Sequence, residues 1–299
     1  MKHSVLRFAK RISEGLAKPR QNFIADMLYG MMVSQDVKLT EIGRALKEGI
    51  ELKHTEERLR RNANTFGDEE TGTVSGNYMK KFKAKCRKDT LLIVDGGDIS
   101  KPHGSKFEGL CGVRDGSTGK IGKGLPTVGM IALTDDKLLL PIYENIYSYE
   151  KGFVNENQET FKALDFADEH FSKDNIRVFD CGYDSNIVTG KLLDSKAKFI
   201  VRLRERTVIC KGEKISVTEL AGKFKGKYKL GFMTQKGGRK QCKVSIVKIA
   251  LPKFPEETFN LVICKGCAKE PMLLSSGRSL KAKRKKGVKK ISAALFCSV

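Results

Sequence analysis

Two aspartates are the residues of this chain whose type and setting could do chemistry. In "LLIVDGGDISKP", residues 91–102, four apolar residues run straight into Asp95, with two glycines and then Asp98 behind it. In "NIRVFDCGYD", residues 175–184, a second short apolar run reaches Asp180, and a glycine follows two positions later. Sites in α/β sheets form at the carboxyl ends of the strands. Two neighbouring strands that each end on Asp would bring their carboxylates together, and like charges at that range repel unless a cation sits between them. Hard divalent cations such as Mg²⁺ or Mn²⁺ take oxygen ligands, often one or two carboxylates plus a substrate phosphate. A pair of such ions can activate water and hold the leaving oxygen in phosphodiester cleavage. The alternative is that Asp95 and Asp180 are turn formers whose side chains bond their own backbone. The spacing by itself leaves both readings open.

The elements around the two acids fit an α/β sheet. "TLLIVD", "TVGMIALT" and "KLLLPIYENIYS" are rich in Leu, Ile and Val with Gly- and Asp-containing turns between them, which predicts strands. "NENQETFKALDFADEHF" predicts a helix that starts near Asn155 or Asn157. The apolar run before Asp180, the helical "SNIVTGKLLDSKA" and the strand-like "KFIVRLRER" follow. Strands alternating with helices in this order argue a mixed α/β sheet. From 208 to 275, stretches such as "CKVSIVKIALP" and "TFNLVIC" alternate like antiparallel strands, and the segment reads as a β-rich insertion.

The first 64 residues read as helical. Phe23, Ile24, Met27, Leu28, Met31 and Met32 recur on one helical face. Thr40 is a candidate cap for a second helix bearing Ile42, Leu46 and Ile50. A third, highly charged stretch carries Arg58, Arg60 and Arg61 near its end. Three short helices with a basic end suit either a helix-turn-helix-like DNA-binding unit or an ordinary helical bundle. Residues 65–90 lose periodicity and read as a linker.

Bulk composition points to a polyanionic partner. The chain has 299 residues and a formal net charge of +22, with 57 Lys and Arg against 35 Asp and Glu. Nucleic acid is the commonest polyanion that such a charge serves. No apolar run is long enough for a membrane-spanning helix, and "MKHSVLRFAKRISEG" lacks the apolar centre of a signal peptide. The eight cysteines are scattered and read as reduced thiols in a cytosol. Cys264 and Cys267 form "CKGC", half of a zinc knuckle. No second such pair exists, and His3, His54, His103 and His170 lie far off in sequence, so two thiols at a strand end are the simpler reading. "GSTGKIGKG" does not fit a phosphate-binding loop, because no Gly-Lys-Ser/Thr follows at the required spacing.

The blocks "LLIVDGGDISKPHGSKFEGLCGVRDGSTGKIGKG", "YSYEKGFVNENQETFKAL" and "RVFDCGYDSNIVTGKLLDSKAKFIVRLRER", with "IADMLYGMMVSQDVKLTEIGRAL" near the start, together resemble the DDE transposases of the insertion-sequence-4-like group. The resemblance spans most of residues 20–275. It implies a ribonuclease-H-like mixed sheet flanked by helices, and Mg²⁺- or Mn²⁺-dependent cleavage and strand transfer at transposon ends. Its first catalytic Asp lands on Asp95, with Asp98 a weaker alternative, and its second on Asp180. It further implies double-stranded DNA as partner, a homodimer in a synaptic complex, and a prokaryotic, cytoplasmic, DNA-associated protein.

Two departures stand against it. Cys181 occupies a position where the family carries Arg. The family's Glu on a late helix has no counterpart: the last acid of the chain is Glu270, and no Tyr follows Tyr228. The resemblance therefore implies a truncated or frameshifted copy with impaired catalysis, in which Glu205 and Glu213 are the surrogate acids to consider. A catalytically inactive DNA-binding remnant and a metal-dependent nuclease of the same fold are the rival readings. The expected organisation is a helical region 1–64, a linker 65–90, a catalytic core 91–207, a β-rich insertion 208–275 and a basic, disordered tail 276–299. Lys283, Arg284, Lys285 and Lys286 in that tail join Arg58, Arg60 and Arg61 as candidate phosphate contacts.

Overall fold

The computed structural model describes residues 2–88, 90–104, 107–114, 119–150, 152–233, 238–267 and 271–277. The chain divides into two compact units, Met1–Lys85 and Cys86–Val299.

The first unit is helical: α1 (Lys2–Ile12), α2 (Lys18–Ser34), α3 (Leu39–Leu46), α4 (Leu52–Asn64) and α5 (Asp68–Lys83). Its core is Phe23, Ile42 and Leu59, with Ile24, Met27, Met31, Leu39, Leu46 and Phe66 packed against them. The face expected on α2 is the face used, except that Met32 turns outward. Gly30 lets α2 and α3 touch, since a Cβ there would stand 2.4 Å from Ile42 Cγ2. Thr40 lies inside α3 rather than capping it, and Lys38 takes the cap position.

The linker expected over 65–90 is a correction, because α5 fills most of it. Three glycines and scattered threonines erase the apolar period there, and α5 buries no residue completely. Its ends supply the helical signal instead. Asp68, Glu69 and Glu70 occupy the first turn, Lys80, Lys81 and Lys83 the last, and both sets complement the helix dipole. Glu70 also accepts a hydrogen bond from the Gly67 backbone N–H at 2.9 Å.

The second unit is a large mixed sheet flanked by helices. Its strands are β1 (Leu91–Ser100), β2 (Cys111–Arg114), β3 (Ile121–Leu133), β4 (Leu139–Ile146), β5 (Ile176–Phe179), β6 (Lys198–Arg202), β7 (Thr207–Cys210), β8 (Glu213–Ser216), β9 (Tyr228–Met233), β10 (Arg239–Leu251), β11 (Phe254–Lys265) and β12 (Met272–Ser276). The order is β2-β3-β1-β5-β6-β12-β11-β10-β7-β8, with β4 on β3 and β9 on β10. β1 pairs antiparallel with β3 and parallel with β5, which runs parallel to β6. All four residues of β5 are buried, as suits a central parallel strand.

Helix α6 (Glu156–His170) connects β4 to β5 and packs on β3 and β4. Of the two asparagines near its start, Asn155 is the cap and accepts from Gln158 N at 3.0 Å. Helix α7 (Asn186–Asp194), capped by Ser185, connects β5 to β6. The short α8 (Val217–Gly222) follows β8.

The expected insertion at 208–275 has no boundary of its own, because its strands continue the same sheet. β12 pairs with β6 through Leu274↔Arg202, Ser275↔Val201 and Ser276↔Ile200. Leu230, Val244, Val262, Cys264 and Met272 share one core with Leu91, Ile176, Val178 and Ile200. Strands β9–β12 thus contribute to the same apolar core as β1, β5 and β6. The tail expected from 276 also needs correction at its start, since Ser276 is the last residue of β12. The rest of that tail lies outside the described residues.

Candidate active site

The sequence places Asp95 at the end of its strand; the structure does not. β1 continues to Ser100, fully paired with β3, because the following residues match the register of Gly124–Gly129. What ends at Val94 is the parallel pairing with β5, whose last pair is Val94↔Phe179. The next position in that register sets Asp95 beside Asp180. The two acids are therefore brought together by strand register, at the point where the sheet opens.

The chain around Asp180 is pinned. Asp180 Oδ1 accepts from Gly182 N at 2.7 Å and so caps a single 3₁₀ turn, Cys181–Tyr183. The turn-forming role considered for Asp180 is real, and it leaves Oδ2 free of backbone contact. Asp184 then accepts from Arg204 N at 2.9 Å and pairs with Arg206, whose Nη2 reaches Asn186 Oδ1 at 2.7 Å. Ser185 caps α7 directly after it. One loop thus fixes Asp180, Tyr183 and the start of α7 relative to β6.

The pair opens into a cavity of about 550 Å³ lined by both acids, Asp98, Arg114, Thr127, Tyr147, Tyr149, Glu156, Thr160 and Tyr183 among others. Asp95 is exposed at the cavity mouth, but partial loss of hydration at its carboxyl, with the Asp180 charge adding to the effect, raises it above the ordinary value despite a backbone bond from Gly96. Tyr183 is hydrogen-bonded to Thr160 and its ring lies tilted against Phe179, 5.4 Å between ring centroids. Burial, then the charges of Asp95 and Asp180, push its hydroxyl far up, so it stays protonated. A Cβ on Gly96 would stand 3.2 Å from the Tyr183 hydroxyl, so glycine there leaves room for it beside the acids. Burial and the nearby Glu156 and Glu159 raise Tyr147 to about 12. Tyr147 and Tyr149 form an aromatic wall with Phe153, their ring centroids 5.9 and 4.7 Å from the Phe153 ring.

Several of these residues were not singled out in the sequence. Glu156 opens α6 and accepts the Tyr149 hydroxyl at 2.7 Å. Glu144 is opposite Gly129, which is itself opposite Asp95. A Cβ on Gly129 would stand 2.6 Å from Glu144 Oε2, so this carboxylate lies over the missing side chain on the Asp95 row. Neither Glu205 nor Glu213 lines the cavity. Glu205 bonds Thr218, and Glu213 sits in β8 at the far end of the sheet order. Asp98 does line it.

The basic residues expected to meet phosphate divide differently. Arg58 is an internal strut: its two terminal nitrogens reach Asp26 and Glu48, each at 2.7 Å. This is a correction, since a long-range ion pair was invisible in local sequence. Arg60 pairs with Glu57 on its own helix, and Arg61 is exposed. Lys283, Arg284, Lys285 and Lys286 lie outside the described residues. Among the described residues no helix is long and apolar enough to cross a membrane.

The donor set at Asp95 and Asp180 is two hard oxygen ligands held side by side, which suits one Mg²⁺ or Mn²⁺ completed by water and phosphate oxygen. Among the described residues no group of three or more His, Cys, Asp or Glu side chains is placed to hold a metal ion. The arrangement fits a single shared cation better than a fully liganded pair of ions.

No protein-family model matches the chain, and no curated protein matches it. Among solved structures, the chain is similar to the NurA nuclease from Sulfolobus solfataricus at 12% identity, covering 80% of this chain and 86% of that one with a TM-score of 0.33.

Proposed function

We propose that this chain cleaves the phosphodiester backbone of DNA with a divalent cation held by Asp95 and Asp180, in the manner of the DDE transposases that its sequence resembles. The observation that carries this reading is the register that sets Asp95 beside Asp180 at the mouth of a cavity. The strand path β4-β3-β1-β5-β6, with α6 and α7 as the two connections, supports a ribonuclease-H-like core. The net charge of +22 supports a polyanionic substrate.

When bound, Mg²⁺ would neutralise phosphate charge and activate water. The chain's own residues supply the rest. Asp95 and Asp180 hold the cation by mutual need, since each relieves the other's repulsion only through it. Tyr183 keeps its proton beside them and offers a donor to a phosphate or a leaving oxygen. Tyr147 and Tyr149 present faces on which a base or sugar packs. Arg61 on the helical unit is left as a backbone contact.

A second reading has its own observation. With no third carboxylate joined to the pair among the described residues, the chain would bind DNA without cutting it. The test is nicking of supercoiled and transposon-end DNA in Mg²⁺ or Mn²⁺, comparing the chain with Asp95→Ala and Asp180→Ala variants of intact fold. Nicking lost in both variants is the expected result. Nicking that survives in both would overturn the assignment, and salt-sensitive binding without any nicking would select the second reading. Joining of cleaved ends to a target separates transposition from simple cleavage.

A further inference from the structure

The "CKGC" motif is the one feature of the sequence that the proposed chemistry leaves unused. The structure adds a third thiol to it. β10 and β11 pair through Val244↔Cys264 and Lys243↔Lys265, so Cys242 lies two positions from Val244 on the same face as Cys264. Beyond Lys265 the chain turns at Gly266 with φ of +90°, a conformation that glycine adopts at little cost. A Cβ at Gly266 would stand 3.9 Å from Cys242 Cα, so the turn folds directly onto Cys242. Cys242 and Cys264 are buried in one core cluster and Cys267 packs against it from a half-buried position. The three thiols hydrogen-bond with one another, Cys267 to both of the others.

We propose that Cys264 and Cys267 are a reversible disulfide site, formed on exposure to hydrogen peroxide, with Cys267 reacting first. Thiolate, not thiol, is the attacking species, and the surroundings divide the three accordingly. Hydrogen bonds from Cys264 and Cys242 draw Cys267 down to about 7 against its partial burial. The hydrogen bond to Cys267 and burial drive Cys264 far up, and burial leads in raising Cys242 to about 12.

In the first step the Cys267 thiolate attacks a peroxide oxygen. The O–O bond breaks, and the released hydroxide takes a proton to become water, leaving a sulfenic acid. In the second, the Cys264 sulfur attacks the Cys267 sulfur, an S–S bond forms, the S–O bond breaks, and the thiol proton leaves with the hydroxyl as a second water. Two thiols and one peroxide thus give one disulfide and two waters. Cys242 positions Cys267 by its hydrogen bond and stays reduced.

The experiment uses the whole chain. Alkylation is followed per cysteine by mass spectrometry at neutral pH, then repeated after one equivalent of hydrogen peroxide. Cys267 is expected to alkylate about five- to tenfold faster than Cys86, Cys111 and Cys210, after allowing for the weaker nucleophilicity of a more acidic thiol. After peroxide, tryptic cleavage at Lys265 should leave two peptides joined through Cys264 and Cys267 and released by dithiothreitol. Cys242→Ser should keep that link, and Cys267→Ser should abolish it. A Cys267 that reacts no faster than the other cysteines would overturn the proposal, as would oxidation without this link or a link to Cys242 instead.

Discussion

The sheet gathers like ionisable groups at two places, and their surroundings set them apart. Asp95 and Asp180 meet where the parallel pairing of β1 and β5 stops, facing an open cavity. Cys242, Cys264 and Cys267 meet where the antiparallel pairing of β10 and β11 stops, against a core. In both, strand register alone brings together residues 85 or 22 positions apart in the chain. At the acids, lost hydration and then the Asp180 charge raise the Asp95 carboxyl above its ordinary value, the strain of a carboxylate facing a like charge that a counter-ion would relieve. At the thiols, ordinary values near 9 keep the buried members neutral, and they serve as donors to the one thiol that reaches solvent. Register decides which groups meet; access to water decides whether the meeting holds charge or redistributes protons.

The largest test of this contrast is catalytic. Asp95→Ala and Asp180→Ala should each reduce metal-dependent nicking by at least about 10²-fold, since each removes half of the oxygen donors for a charge-stabilising ion. Glu156→Gln, with the cavity intact, distinguishes a carboxylate that takes part from one that only holds Tyr149. A loss as deep as that of the aspartates would make the site a trio and break the comparison of pairs. If the thiol variants Cys242→Ser and Cys267→Ser nick DNA as the parent does, the two clusters are independent.

Ions give the next effect. At about ten times its dissociation constant a divalent cation adds about 1.4 kcal/mol, or about 3 °C in melting midpoint for a unit of this size. That rise should appear in the parent chain, be absent in Asp95→Asn, and persist in Cys242→Ser. A soft thiophilic ion that raises the midpoint through the cysteines would contradict the reading of them as a proton-sharing, metal-free cluster.

Much of the acid pair was legible because it depends on local features: two apolar runs, each stopping at an acid near a glycine. Periodicity likewise marked α2, α6 and α7, and β-branched runs marked β1, β3, β5, β6, β10 and β11. What stayed hidden depends on distance along the chain. Glu156 and Tyr149 reach the cavity only because α6 starts beside the β1–β3 ladder. Arg58 reads as a free cation until α2 and the turn between α3 and α4 supply Asp26 and Glu48. The short β2 (four residues) carries too little pattern to be seen. α5 was missed because it lacks an apolar stripe, although its charged ends mark a helix. The approach of Cys242 to "CKGC" needed the β10–β11 register, which no local motif encodes.

The smallest effect is also the most direct reading of the contrast, because it concerns Asp95 without any metal. Its carboxyl is raised in the folded chain, first by lost hydration and then by Asp180. A raised value means that the folded state favours the proton. That contribution is fully present below the unfolded value and is lost as pH rises through the folded one. At neutral pH, in a chelator, the charged Asp95 should therefore weigh against the fold. Asp95 is solvent-exposed, so screening keeps the effect small: Asp95→Asn should melt higher than the parent there by no more than about 1 °C, and the gain should fade as pH drops toward 3.8. Melting midpoints of the two proteins across this range measure it directly. Added Mg²⁺ should reverse the order, because only the parent can use the ion. A variant that is less stable at every pH would mean that Asp95 is held by favourable bonds, as Asp184 is by Arg206, and that its cavity asks for no cation.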